Sequence, residues 1–131
     1  RDLGAQRLVV RDASVLEEVG DSAIDVVIDV VGGDSFTELL KILTPRGRYA
    51  TAGAVAGPDV TLDLRDLYLK DLTLFGCTFH PRSVFADLVG YIEAGDITPL
   101  LADEYNFADI QAAQERFLSK DFLGKIAIVS P

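Results

Sequence analysis

The chain has 131 residues, enough for one domain that buries roughly two-thirds of the surface its unfolded form exposes. Twelve Lys and Arg against 21 Asp and Glu give a formal charge of −9, which repels phosphate backbones and anionic membranes, so neither nucleic acid nor a membrane is an expected partner. The single cysteine, Cys77, closes no disulfide within the chain, and no signal-like leader or run of about 18 apolar residues occurs, which makes the cytoplasm the default location.

The sequence lacks methionine even at position 1 and is read as a piece of a longer protein. It opens on RDLGAQRLVV, which reads as the last turn of a helix entering a strand at 8–10. Further strands are expected at 25–31 (DVVIDVV), 47–53 (GRYATAG) and 72–79 (LTLFGCTF), from their β-branched, aromatic and aliphatic residues. The strand at 25–31 is apolar on both faces apart from its aspartates, as a strand covered on both sides should be. The segments between these strands, of 14, 15 and 18 residues, are long enough for helical crossovers.

Helix starts are marked by capping-box patterns at Ser14 with Glu17 and Ser35 with Glu38, and by a weaker one at Asp63 with Asp66. Phe36, Leu39, Leu40 and Leu43 form one apolar helical stripe, and TPRG at 44–47 is expected to end that helix. Phe85, Leu88, Val89 and Ile92 mark another amphipathic helix, stopped by a left-handed cap at Gly95. Beyond it, 97–107 reads as extended, 108–119 as helical through Ile110, Ala113 and Phe117, and 125–130 as a last strand. The fold class is therefore α/β: a partial Rossmann-like, doubly wound parallel sheet of about four strands with crossover helices over 1–95, and a tail at 96–131 made of an extended segment, a helix and a strand.

The glycine pair at the end of DVVIDVVGG raises the question of a phosphate cradle. The G-x-G-x-x-G spacing is absent, because Gly32 and Gly33 are followed by Asp34, Ser35 and Phe36. GAVAG at 53–57 lacks the G-K-[ST] ending of a triphosphate loop, and Ser14, Ser35 and Ser83 sit at apparent helix starts with no G-x-S-x-G elbow, so they read as caps.

Taken in order, DVVIDVVGG, LTPRGRYATAG, LTLFGCTF and DITPLLADEYNFADIQAAQERFLSKDFLGKIAIV resemble the C-terminal half of the medium-chain dehydrogenase/reductase family, the zinc-binding alcohol dehydrogenases and NADPH:quinone oxidoreductases. The resemblance covers nearly the whole chain, and its most specific part is the closing A-x-x-x-F-x-x-x-x-x-x-GKIAIV. It implies a sheet order of 3-2-1-4-5-6 in which 8–10 is strand 3 and 25–31 is strand 4, with the phosphate loop lying upstream of Arg1. Strand 8–10 would then either move beside strand 4 or lose its order, and the tail, which in the family packs on the absent catalytic domain, would need another home in a dimer or a swapped arrangement.

The same resemblance implies a parent enzyme that transfers hydride between a nicotinamide cofactor, NADPH first and NADH as the alternative, and a small-molecule alcohol, quinone or enone. The isolated chain is expected to be inactive. Two other readings stay open, a non-catalytic nucleotide-binding module and a structural dimerisation domain.

Ligands of parallel sheets sit beyond the carboxyl ends of the strands, which nominates Val31 with Gly32, Gly53 with Ala54 and Val55, and Phe79 with His80. Under the resemblance, the loop after Val30 and Val31 lies against the adenosine and ribose side. The backbone at Gly53–Val55 and at Thr78 and Phe79 meets the nicotinamide ring and its carboxamide, and His80 lies near that end. Glycine at 32 and 53 would permit close backbone approach, a Cβ there occupying cofactor space; the alternative is that these glycines simply turn the chain.

Lys125 matches a family position near the cofactor cleft, with a plain lysine leading into a strand as the equal alternative. Asp29 is expected to be structural and to need a partner if buried, and Asp25 to be solvated. Cys77 and His80 are three apart and so point to opposite faces of a strand. No metal site is assigned to this chain, since the family's zinc ligands, where it has them, lie in the N-terminal domain. No catalytic residue is assigned. The apolar strand 72–79, with Leu72, Leu74, Phe75, Cys77 and Phe79, would end the sheet, and in the family such a strand pairs two copies, so a homodimer through it is expected.

Overall fold

The computed structural model describes residues 4–10 and 12–130. The chain divides into two compact units, residues 1–79 and 80–131.

The first unit holds a three-stranded parallel sheet in the order β1-β2-β3, with β1 at Ile24–Asp29, β2 at Leu43–Thr51 and β3 at Thr73–Gly76. This is the succession implied for strands 4, 5 and 6, with β3 at an edge as expected. Residues 8–10 form no strand, and Leu8 and Val10 are exposed. The expected fourth strand is thus absent because this segment joins no ladder, and an apolar run without a partner gains neither hydrogen bonds nor burial. The part of the expected helical turn at 1–3 lies outside the described residues.

Three short helices accompany the sheet: α1 at Val15–Val19, α2 at Phe36–Lys41 and α3 at Leu64–Tyr68. Ser14 begins its capping box as read, its Oγ accepting from the Glu17 N–H at 3.2 Å. Glu38, however, does not serve Ser35. Its carboxylate accepts from the Ser14 hydroxyl at 3.1 Å and the Leu16 N–H at 3.3 Å, so one helix caps another across 24 residues of sequence. Ser35 instead donates to the Gly32 carbonyl at 3.3 Å. Asp63 caps α3 by accepting from the Arg65 N–H at 2.9 Å.

The helix ends at Lys41, two residues before the expected stripe does, because Leu43 already belongs to β2 and TPRG lies inside that strand. β1 advances two residues from Ile24 to Val26 while β2 advances five, from Leu43 to Arg48, and the extra residues bulge around Arg46 at φ 67°. Lys70 holds this corner, its ammonium donating to the carbonyls of Lys41 at 2.6 Å and Leu43 at 3.1 Å and pairing with Asp21.

The core is Val27, Phe36, Leu40, Ile42, Leu43 and Tyr49, flanked by Val15, Leu16, Val19, Leu39, Leu62 and Leu72. Val27 and Asp29 of β1, with Tyr49 in register beside Val27, stand on the covered face. Val26, Ile28 and Val30 on the opposite face are exposed, and Ile28 aligns with Ala50 and Phe75 in one row across the sheet. The sequence pattern of a strand covered on both faces is real, but the described residues of the first unit supply a cover for only one of them.

The second unit contains α4 at Arg82–Glu93, β4 at Leu101–Asn106, α5 at Ile110–Ser119 and β5 at Lys125–Val129. Gly95 takes the left-handed conformation at φ 80° and donates to the Ile92 carbonyl, as its position after the apolar stripe suggested. Ser83 is not the cap of α4, since Pro81 occupies that position. The extended and terminal segments pair with each other as a parallel two-stranded sheet, bridged by α5, whose Ala113 is buried. Arg116 of α5 donates to the Asp103 carboxylate of β4 at 2.7 Å, pairs also with Asp121, and stacks over the Phe122 ring at 5.1 Å. Among the described residues no helix is long and apolar enough to cross a membrane.

Leu40 and Leu43 are the two most completely enclosed large side chains. Leu40→Ala is expected to lower the unfolding free energy of the first unit by about 2–5 kcal/mol, measured as a fall in the urea midpoint at unchanged slope.

Candidate functional site at the carboxyl ends of the strands

β1, β2 and β3 run parallel, so the three loops that follow them leave the sheet at one edge. An open recess of about 640 Å³ lies there, lined by Thr51, Ala52, Gly53, Ala54 and Pro58 after β2 and by Gly76, Cys77, Thr78 and Phe79 after β3. Of the expected site residues, it gathers Gly53, Ala54, Thr78 and Phe79. Val55 stands at the tip of the second loop, 91% exposed. Val30, Val31 and Gly32 form the adjoining first loop. His80 and Lys125 belong to the second unit, where His80 is exposed and Lys125 opens β5 with its N–H on the Leu100 carbonyl at 2.9 Å.

The first and second loops are stitched together. The Ala52 N–H donates to the Asp29 carbonyl at 2.9 Å, Ala56 to Val31 at 2.8 Å and Gly33 to Gly57 at 3.1 Å. This stitching accounts for the glycines more directly than cofactor space does. A Cβ on Gly53 would stand 2.6 Å from the Val30 carbonyl oxygen, and one on Gly32 would stand 3.0 Å from that of Gly57, where φ is in any case +66°. The close approach is of the chain to itself. Gly76 differs, since a Cβ there would meet nothing within 4 Å and would project into open space.

Asp29 closes β1 and is 4% exposed, the one buried charged residue among those described. Its carboxylate accepts from the Val31 N–H at 2.7 Å and the Gly32 N–H at 3.0 Å through one oxygen, and from the Tyr49 hydroxyl at 2.5 Å through the other. Burial by itself pushes the carboxyl up, but the Tyr49 hydroxyl and the two amides together outweigh it and hold Asp29 below the usual carboxylate range. Tyr49 moves the opposite way, raised by burial first and then by its hydrogen bond to, and the charge of, Asp29. The expectation that Asp29 is structural and partnered is met, while Asp25 is exposed and accepts from Thr44 at 2.9 Å.

Sequence reasoning missed Tyr49. The signal was available only in combination, as a tyrosine within one apolar strand and an aspartate near the end of the next.

Apart from Phe79 and Pro58 the recess side chains are small, and none carries a carboxylate, amine or imidazole; Cys77, half-buried, is its one titratable group. Its polar character comes from the main chain. Among the described residues, the N–H groups of Gly53, Ala54, Val55, Thr78 and Phe79 donate to no protein acceptor. Such a surface can orient a neutral polar group but has no carboxylate, amine or imidazole with which to move a proton. No group of three or more His, Cys, Asp and Glu converges as a metal site among the described residues.

The sequence profile of zinc-binding dehydrogenases matches residues 3–128. Curated relatives include quinone oxidoreductase-like protein 2 of Bos taurus, 27% identical over 95% of this chain and 40% of its own length. Acryloyl-coenzyme A reductase of Metallosphaera sedula is 31% identical over 96% of this chain and 38% of its own. Among solved structures, a protein from Sinorhizobium meliloti 1021 assigned as an alcohol dehydrogenase superposes with a TM-score of 0.85 at 47% identity, covering 99% of this chain and 37% of that one. The chain thus spans about two-fifths of the length of the relatives it matches.

A folded-state carboxyl held below its unfolded value contributes stability above the unfolded pKa, and that contribution is lost as pH falls through the lowered folded value. Asp29→Asn is accordingly expected to cost about 1–3 kcal/mol at pH 7 and progressively less below about pH 4, measured by urea unfolding across that range.

Proposed function

The chain belongs to the zinc-binding dehydrogenase family, and from that membership we propose that its recess receives the nicotinamide end of NADPH, or alternatively of NADH, within a longer cytoplasmic oxidoreductase. The reaction is hydride transfer between that cofactor and an alcohol, quinone or enone. The observation that carries this reading is the set of main-chain N–H groups without a protein acceptor at Gly53, Ala54, Thr78 and Phe79, residues of two loops that line one recess at the carboxyl edge. A nicotinamide carboxamide offers a carbonyl acceptor to such donors, and small side chains leave room for a flat ring above them. Similarity to a quinone oxidoreductase-like protein and an acryloyl-coenzyme A reductase supports the quinone and enone arms of the reading, and the alcohol dehydrogenase structure supports the alcohol arm.

When bound, the nicotinamide supplies the hydride chemistry; the chain's residues bind, orient and exclude water. Main-chain donors on loops tied down, the second to the first and to β1 and the third to Thr51 of β2 through the Cys77 N–H, are preorganised, so they cost little reorganisation on binding. The reading assigns no zinc ligand to these residues. Val30 and Val31 take the adenosine and ribose side, and Lys125 and His80 remain proposed contacts from the second unit.

The partner assignment is a second copy of the chain, paired through β3. Among the described residues this strand has β2 on one side and no strand on the other, and Leu74 and Phe75 are 37% and 47% exposed.

Titration of NADPH and NADH by fluorescence tests the cofactor reading on the 131-residue chain and on a full-length protein. Weak binding by the chain and tight binding at full length are expected. Absence of binding at full length sinks the dehydrogenase reading, and tight binding by the chain alone contradicts the expectation that the rest of the protein supplies most of the affinity. For the partner assignment, sedimentation should show a dimer that Phe75→Lys converts to monomer; a variant that stays dimeric rules out the β3 edge.

A further inference from the structure

We propose that Asp29 and Tyr49 are positioning residues for the recess, a step that rests on the cofactor reading above and assigns the two loops different tasks. The amides of Val31, Gly32 and Gly33 are spent inside the protein, those of Val31 and Gly32 on the Asp29 carboxylate and that of Gly33 on the Gly57 carbonyl. With these three donors turned inward, the first loop offers outward the half-exposed side chains of Val30 and Val31. It is an apolar pad. In the second and third loops the amides of Gly53, Ala54, Thr78 and Phe79 donate to no protein acceptor among the described residues and provide the polar contacts, while those of Ala52, Ala56, Gly57 and Cys77 hold the loops in place.

Tyr49 sets the direction of this arrangement. Its hydroxyl occupies one Asp29 oxygen, which leaves the other to gather both loop amides. Its ring is 3% exposed and meets Phe36 edge-on at 5.3 Å and 89°, and Phe36 opens α2 directly after the loop. The loop is therefore fixed at its start by the carboxylate and at its end by the ring, both through one side chain of β2. The ligand face follows from the lock, because the Val31 carbonyl that receives Ala56 also sets the height of the second loop.

Neither residue lines the recess. Their effect on a ligand is therefore indirect, and the readout must separate local positioning from general stability.

Amide exchange followed by NMR on the 131-residue chain does so. In Tyr49→Phe, which keeps the ring against Phe36, the Val31 and Gly32 amides are expected to exchange about tenfold faster or more, while Val27 in the β1 ladder changes little. Exchange that accelerates equally in the loop and the ladder, or in neither, overturns the proposal. Asp29→Asn, which retains a single acceptor oxygen, provides the same comparison should the first variant fail to fold.

NADPH titration of the full-length protein supplies the second readout. Tyr49→Phe is expected to weaken NADPH about tenfold, and unchanged affinity alongside a loosened loop overturns the positioning role. A wild-type full-length protein that binds neither NADPH nor NADH overturns the cofactor reading instead, and the exchange result still decides whether the lock exists.

Discussion

A carboxylate withdrawn from water at the end of a strand must be fully hydrogen-bonded or it destabilises the fold by several kcal/mol. Asp29 satisfies that condition with three donors drawn from two places, the loop that follows it and the neighbouring strand. Much of the first unit's upper edge follows from this requirement. The loop has to double back so that two successive amides reach one oxygen, and Gly32 and Gly33 adopt φ of +66° and +70° there. Tyr49 must stand on the same face one pairing step below, as its register with Val27 provides. The covered face is thus held by a polar knot at its carboxyl end and by Leu40 and Leu43 at the other.

The opposite face has no such anchor. Parallel strands ordinarily carry helices on both sides, and β1 has the composition for it, with Val26, Ile28 and Val30 alternating against Val27 and Asp29. Here the helices collect on one side. They are also short, five or six residues each, below the length at which a helix holds itself in water. Their stability comes from tertiary contacts, and the reach of Glu38 to the start of α1 is one of them. The wiring of a helix cap to a glutamate on a neighbouring helix makes α1 dependent on α2 rather than on its own sequence.

This dependence explains what the sequence disclosed and what it did not. Strand positions were legible wherever a β-branched run found a neighbour, as at 24–29 and 125–129, and Gly95 was legible because a left-handed cap is a local requirement. Residues 8–10 carry the same composition as a strand, yet strand formation is a property of a pair, and composition says nothing about whether the partner is present. Ser35 with Glu38 matched a capping box equally well, but the donors at the start of α1, the Ser14 hydroxyl and the Leu16 N–H, take the Glu38 carboxylate instead, and spacing cannot see across space. The recess was found through topology, since parallel strands bring their loops to a common edge. The Asp29–Tyr49 bond needed the register of β1 on β2, which the bulge between Leu43 and Arg48 makes unreadable by counting.

The site's chemistry was hidden for a related reason. Its donors are main-chain amides, and every non-proline residue has one, so no residue type marks them. What the sequence records is the complement of a backbone site: Ala52, Gly53, Ala54, Gly76, Cys77 and Thr78, small side chains that keep the amides accessible. Gly53 joins this set for a different cause, the 2.6 Å separation its Cβ would have from the Val30 carbonyl. A surface made this way tolerates change in identity so long as size is kept, but it cannot tolerate a change in loop height. Its precision therefore depends on residues that do not line it, and the buried aspartate and tyrosine beneath it carry more of the site's specification than the side chains at its rim.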